Sequence, residues 1–194
     1  MSSTSHPSSS DFKQFIDDAA AAIRSLHDVL PDIEAAVELI VTTLSSGGKV
    51  LTAGNGGSAA EAMHLAEELS GRYKHNRRAL PGLALCADGT ALTCIANDFG
   101  FDQVFARQIE AFGAPGDLLV LFSTSGNSPN LLEAARAAQS RQMKVLSLLG
   151  RGGGALRGKS DVDILVPDTA GAHVQEAHQV VLHLMLESID AAFA

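Results

Sequence analysis

From residue 49 onward the chain alternates short, unbroken apolar runs with stretches whose apolar residues recur at helical spacing. No other feature restricts the fold as much. The runs occupy 49–53, 82–86, 117–122, 144–149 and 162–166, as in Leu118-Leu119-Val120-Leu121-Phe122. Apolar runs without polar alternation fit strands buried on both faces. Helical patterns lie among them at about 58–70, 101–112, 129–140 and 173–193. Alternating β and α elements imply a parallel sheet with right-handed crossovers and helices on both faces. The expected architecture is therefore α/β, three-layer αβα, with a five-stranded parallel sheet. In open sheets of this kind, ligands bind beyond the carboxyl ends of the strands, at the topological switch point.

Two more helical patterns precede the sheet. The first covers 11–30, where Pro31 is expected to break it, and the second covers 32–44, ended by Ser45-Ser46-Gly47-Gly48. Their apolar positions are Phe12, Phe15, Ile16, Ala19 and Ile23, then Ile33, Val37, Ile40 and Leu44. Such an N-terminal helical hairpin packs on the chain's own sheet or offers its leftover apolar stripe to a partner subunit. The Ser-rich residues 1–10 read as a disordered tail. Residues 11–194 read as one domain, with helices over 11–46 and the α/β sandwich over 49–194. A chain of 194 residues suits a single domain. It buries about 70% of its unfolded surface and needs no disulfide or metal merely to fold.

Charge and composition exclude several classes of function. The net charge is -8, and the densest basic run, Arg72, Lys74, His75, Arg77 and Arg78, reads as a solvated loop. General binding to nucleic acid or to an anionic membrane is disfavoured. No apolar run is long enough to span a bilayer, and the Ser-rich start does not resemble a secretory leader, so the expected compartment is the cytoplasm. Cys86 and Cys94 sit in apolar settings without a CxxC pattern and read as reduced core thiols.

The chemistry concentrates in the turns that follow strands. The first strand runs into Gly54-Asn55-Gly56-Gly57-Ser58 and then directly into a helix. Glycines permit a sharp turn and close backbone approach, and the helix start offers free N–H groups to an anion. The loop lacks the Gly-Lys-Ser/Thr ending of a Walker A motif and the spacing of a dinucleotide fingerprint. Taken alone, it is equally an ordinary tight βα turn. A second loop reads Ser123-Thr124-Ser125-Gly126-Asn127-Ser128-Pro129. Ser128 suits an N-cap and Pro129 the first helical position. Capping leaves Ser123, Thr124 and Ser125 unexplained, and hydroxyls at a helix start can bind phosphate without Lys or Arg. A third segment, Ala96-Asn97-Asp98-Phe99-Gly100, reads as a loop that adds polar contacts to sugar hydroxyls or simply caps itself.

Two helices carry metal-capable and acid–base side chains. His64 and Glu68 stand four residues apart, hence on one face, where they share a divalent metal or a hydrogen bond. On the last helix, His173, Gln175, Glu176, His178, Gln179 and His183 crowd together. Helical geometry aligns His183 best with Glu176 and Gln179, with Gln175 on the same broad side. Spacing alone does not select the partner of His183.

Taken together, these segments resemble the sugar isomerase (SIS) domain and, within it, the phosphoheptose isomerases. The resemblance rests on Gly54-Asn55-Gly56-Gly57-Ser58 with Met63-His64-Leu65-Ala66-Glu67-Glu68-Leu69, on Ile95-Ala96-Asn97-Asp98-Phe99-Gly100, on Ser123-Thr124-Ser125-Gly126-Asn127-Ser128, and on His173-Val174-Gln175-Glu176-Ala177-His178 with His183. It covers about residues 11–192, in order. It implies a flavodoxin-like sheet, a homotetramer with sites at subunit interfaces, and conversion of sedoheptulose 7-phosphate to D-glycero-D-manno-heptose 7-phosphate. That reaction is the first step towards ADP-heptose, used in lipopolysaccharide core and some capsules.

The resemblance also implies a zinc ion in each subunit, held by His64, Glu68, Gln175 and His183. It implies substrate binding by Asn55, Gly56, Gly57, Glu68, Asn97, Asp98, Ser123, Thr124, Ser125, Ser128 and Gln175. Glu68 would act as base and His183 as acid. One position departs from the pattern. Glu61 stands where the family carries Asp, and the extra methylene is expected to shift a polar contact near the site without abolishing activity. The alternatives are a non-catalytic SIS-domain adaptor that associates with the bacterial replication initiator, a sugar-phosphate sensor, and a hexose-phosphate isomerase.

Overall fold

The computed structural model describes residue 6, residues 8–167 and residues 170–194. The described residues form five strands and seven α-helices: α1 (Ser9–Arg24), α2 (Leu30–Ser45), β1 (Val50–Gly54), α3 (Gly57–Ser70), β2 (Gly82–Ala84), α4 (Gly89–Phe99), α5 (Ala106–Phe112), β3 (Leu118–Ser123), α6 (Pro129–Ser140), β4 (Lys144–Leu149), β5 (Val162–Leu165) and α7 (Gly171–Phe193). Every strand pair is parallel, in the order β2-β1-β3-β4-β5. The expected three-layer α/β architecture is the one found.

The unbroken apolar runs work because strand side chains alternate in direction. Leu118, Val120 and Phe122 enter one core with Ile33, Ile40 and Leu44 of α2, Leu65 and Leu69 of α3, and Val181, Leu182 and Met185 of α7. Leu119 and Leu121 enter the other with Ile109 of α5 and Leu131, Ala134 and Ala138 of α6. Both faces are therefore covered, as a parallel sheet requires.

Four expectations need correction. The chain entering α2 tightens into a 3₁₀ turn at Ser25–Val29, before Pro31 rather than at it. Pro31 sits in the first turn of α2, where its missing N–H leaves no bond unmade. Ser9 and Ser10 belong to α1, capped by Ser8, whose side chain accepts from the Asp11 N–H. Of the expected tail, residues 1–5 and 7 lie outside the described residues. The segment 96–100 is no free loop but the last turn of α4 and its Gly100 cap. Asp88 starts that helix by accepting from the Thr90 and Ala91 N–H groups at 2.9 and 3.0 Å. Finally, Cys94 is exposed on α4 rather than in the core, while Cys86 is half-buried, and burial pushes its thiol pKa up.

The order of the sheet positions the site. Chain direction across the sheet reverses between β1 and β3, which lie side by side with Gly54 opposite Phe122. The turns leaving their carboxyl ends are the glycine-rich loop and the hydroxyl-rich loop. The switch point thus brings these two loops together, although about seventy residues separate them in sequence.

Candidate active site

Asn55 and Asn130 lock the two loops to each other. Each side-chain amide donates to the other's oxygen at 2.9 Å, with Asn130 buried at the start of α6. Within the second loop, Ser123 is buried and its Oγ accepts from the Gly126 N–H at 3.0 Å. Ser123 therefore shapes the loop. Thr124, Ser125 and Ser128 are half-buried and line a pocket together with Asn55, Ser58, Ser123 and Gln175. Ser128 stands at the N-cap position of α6, yet its side chain makes no capping hydrogen bond, so its hydroxyl is free for the pocket.

No lysine or arginine is among the residues lining this pocket. Its capacity for an anion comes from hydroxyls, amides and the starts of α3 and α6, neither of which has a side-chain cap bond. Gly57 leaves room for a close approach, which any larger residue would meet by displacing the Gln175 side chain. A Cβ there would lie 2.3 Å from Nε2 of Gln175 on α7. The absence of a side chain there leaves space for the α7 amide at the pocket.

A third element braces the second loop. The 3₁₀ turn Arg151–Leu156 lies against it: the Leu156 N–H donates to the Gly126 carbonyl at 2.9 Å, and the Ala155 N–H donates to Asn127 Oδ1 at 2.9 Å. A Cβ on Gly126 would meet the Gly153 carbonyl oxygen at 1.8 Å.

The acid–base and metal-capable residues gather further along α3 and α7, roughly two turns from the pocket at 1.5 Å rise per residue. His64 Nε2 faces Glu68 Oε1 at 3.6 Å. That is too long for a hydrogen bond, but it matches two donors sharing one tetrahedral ion at bond lengths of about 2.0–2.2 Å. His64 Nδ1 lies 2.9 Å from Gln179 Oε1. With Nδ1–H donating to that oxygen, the lone pair of Nε2 points towards a carboxylate, an arrangement that favours a cation between them. His64, Glu67 and Glu68 together place one donor atom each within 4.8 Å of the others. Glu67 is exposed and was not singled out by spacing arguments. The His183 ring meets the His64 ring edge-on, with centroids 5.4 Å apart.

The expected residues therefore divide. Asn55, Ser123, Thr124, Ser125, Ser128 and Gln175 line one pocket, with Gly57 against Gln175. His64, Glu68 and His183 form a second group beside it. Gln179, rather than Gln175, bonds His64, so Gln175 lies with the anion pocket in this chain. Asn97 and Asp98 are exposed at the end of α4, bonded to each other at 2.7 Å, and are not among the pocket's lining residues. The imidazole and carboxylate donors of His64, Glu68 and His183 fit zinc chemistry.

Glu61 and His178 meet beneath this group, on α3 and α7. Their side chains are 4% and 0% exposed, and His178 Nδ1 lies 3.7 Å from Glu61 Oε1. Neither carboxylate oxygen and neither ring nitrogen has a hydrogen-bond partner among the described residues. The basic run also differs from expectation. Arg77 is no solvated residue: its side chain is 0% exposed and bonds Asp190 at 3.0 Å.

Comparison with known proteins agrees with this geometry. Two family profiles, each described as the SIS domain, match residues 14–150 and 110–194. The chain is 49% identical over 166 residues to the phosphoheptose isomerase of Campylobacter concisus, covering 86% of this chain and 88% of that one. A solved phosphoheptose isomerase from Francisella tularensis superposes with a TM-score of 0.92 at 34% identity, covering 96% of this chain and 100% of that one. Another, from Neisseria gonorrhoeae, gives 0.86 at 40% identity, covering 93% and 97%. The chain belongs to the phosphoheptose isomerases of the SIS domain family.

Proposed function

We propose that this chain is an aldose–ketose isomerase that converts sedoheptulose 7-phosphate to D-glycero-D-manno-heptose 7-phosphate, in the route to ADP-heptose for lipopolysaccharide core or capsule. The observation that carries this is the adjacency of two unlike sites. A hydroxyl- and amide-lined anion pocket lies at the carboxyl ends of β1 and β3, and a carboxylate with two imidazoles lies beside it on α3 and α7. The first suits a phosphoryl group held by neutral donors. The second suits proton transfer at a sugar's carbonyl end.

The reaction moves hydrogen between adjacent carbons and oxygens with no net redox change. Glu68 takes the proton from C1, and the released pair forms the C1–C2 double bond while O2 accepts a proton. The O1 hydroxyl then gives up its proton, the C1 carbonyl forms, and Glu68 returns the proton to C2. His183 carries the proton between O2 and O1. Each transfer needs a group within hydrogen-bond reach, and general acid–base catalysis of this kind contributes about 10²–10⁴-fold. Zinc held by His64, Glu68 and His183, with Gln175 completing the set by a side-chain shift, would polarise the two sugar oxygens.

The enzyme is further proposed to work as a homotetramer in the cytoplasm. Among the described residues, no helix is long and apolar enough to cross a membrane. Asn97 and Asp98 are exposed on α4, which leaves their side chains available to a neighbouring subunit's site. The deciding experiment is incubation of zinc-supplied protein with sedoheptulose 7-phosphate, followed by chromatographic detection of an aldoheptose phosphate. Absence of product rejects the isomerase reading.

A further inference from the structure

The loop that joins α3 to β2 crosses the outer face of α7 and touches it at successive turns. The Tyr73 ring stacks on the His183 ring, with centroids 5.9 Å apart and planes inclined by 20°. The Tyr73 hydroxyl donates to Glu187 Oε1 at 3.4 Å, and Lys74 pairs with the same carboxylate. The backbone N–H groups of Lys74 and His75 donate to Asp190 at 2.8 and 2.9 Å. Positions 183, 187 and 190 follow the spacing of one helical face. The loop is thus a strap laid along that face.

The strap is also fastened to α3. Buried Arg77 bonds Asp190 and donates to the carbonyls of Glu68 and Leu69 at 2.7 and 3.1 Å. One short segment therefore holds the two helices that carry Glu68 and His183. Its Tyr73 ring stacks on His183, while His64 meets the same imidazole edge-on. An imidazole in contact with two rings has few rotamers left, and a proton-transferring group needs its orientation fixed.

We propose that Tyr73 is a positioning residue for His183: its ring fixes the imidazole plane from which His183 serves the sugar's oxygens. The inference rests on the role given to His183 above. The contact required is the ring and not the hydroxyl, so Phe replaces Tyr73 without loss and Ala does not. The phosphate pocket lies elsewhere, so the defect belongs to kcat and not to KM.

The test compares Tyr73→Ala, Tyr73→Phe and, should the Ala variant fold poorly, Tyr73→Leu. Two readouts are taken. The first is the NMR shift of the His183 carbon-bound ring protons in metal-free protein, assigned with His183→Gln. The second is kcat and KM with sedoheptulose 7-phosphate at saturating zinc. In Tyr73→Ala or Tyr73→Leu, loss of the ring current should move the His183 resonances downfield. There kcat should fall about tenfold, the scale of a lost aromatic pair, while KM stays within about twofold. Tyr73→Phe should restore both readouts. Unmoved resonances in the Ala or Leu variant overturn the stack. Moved resonances with unchanged kcat overturn the positioning role, as does failure of Phe to restore kcat. Full turnover in His183→Gln rejects the chemical role of His183 itself, whatever the Tyr73 variants do.

Discussion

At Glu68, chemistry and structure separate cleanly. The side chain is half-buried on α3, its nearest ionisable partner is His64 at 3.6 Å, and the hydrophobic core beneath is formed by Leu65 and Leu69. Glu68→Gln keeps the volume and removes the proposed base. Turnover should fall by about 10²-fold or more, while the thermal midpoint moves little. Near wild-type turnover refutes the assigned role. The buried pair below should show the opposite pattern. His178→Ala empties a fully buried site and leaves the Glu61 carboxylate without its neighbour; the cavity and the unsatisfied buried group together cost on the order of 3 kcal/mol. For a chain of this length that is a drop of roughly 10 °C in midpoint, readable by calorimetry. The double variant Glu61→Leu/His178→Leu should lose less than the two single changes added together. Pairing of this kind was only partly legible in the sequence. The i, i+4 spacing placed His64 beside Glu68, but which glutamine of α7 meets which histidine depends on how α7 is rotated against α3. Gly57 leaves space for the Gln175 amide, and no periodicity reports it.

Among the elements, the β1 and β3 loops were legible because glycine and hydroxyl runs at strand ends have a direct physical meaning. Helix α4 was not. Its sequence, Gly-Thr-Ala-Leu-Thr-Cys-Ile-Ala-Asn-Asp-Phe, has Leu92, Ile95, Ala96 and Phe99 at helical spacing, but the stripe is short, interrupted by polar and β-branched residues, and none of it is fully buried. What marks it is the Asp88 cap and Gly100 at φ 87°, both easily read as loop chemistry. The second loop depends on its brace. Gly126 has φ 63° and faces the Gly153 carbonyl, so Gly126→Ala must push Ser125 or the 151–156 turn aside. KM should rise on the order of tenfold, about 1.4 kcal/mol of binding, with kcat less affected. Steady-state kinetics at saturating zinc check this. The strap makes a prediction about pH. Burial raises the Asp190 pKa, but the N–H groups of His75, Lys74 and Arg77 outweigh it and hold the carboxyl below its ordinary range. A depressed carboxyl stabilises the fold above its unfolded value of about 4, and that stability is lost as pH falls through the native value. Asp190→Asn should therefore cost stability at neutral pH, and the gap from wild type should close in denaturant titrations carried progressively below about pH 4.

For the whole molecule, one chain accounts for the hydroxyl-lined pocket but leaves two kinds of surface unexplained. Phe12, Phe15 and Ile16 on α1 are 59%, 50% and 65% exposed, although α1 is otherwise anchored on the core through Ala22. Burying side chains of this size is worth about 1.5–3 kcal/mol each, so an assembly that covers all three gains several kcal/mol per subunit. The sequence showed this stripe but not whether sheet or partner would cover it, because helical spacing fixes a face and not its neighbour. Phe99, Phe101 and Phe112 are likewise 52%, 60% and 52% exposed, and Asn97 and Asp98 are exposed next to Phe99 at the end of α4, outside the pocket lining of their own chain. Both features follow if subunits associate so that α4 of one completes the site of another. Phe12→Ser/Phe15→Ser/Ile16→Ser should then yield a species smaller than the wild-type assembly in light scattering, with helix content retained. Shared sites make a sharper prediction. An Asn97→Ala/Asp98→Ala chain and a Glu68→Gln chain should each be nearly inactive alone. Co-expressed under two tags and purified as mixed assemblies, they should regain turnover, because some sites then pair an intact α4 with an intact Glu68. Mixed assemblies as inactive as their parents would mean that each chain builds its site alone.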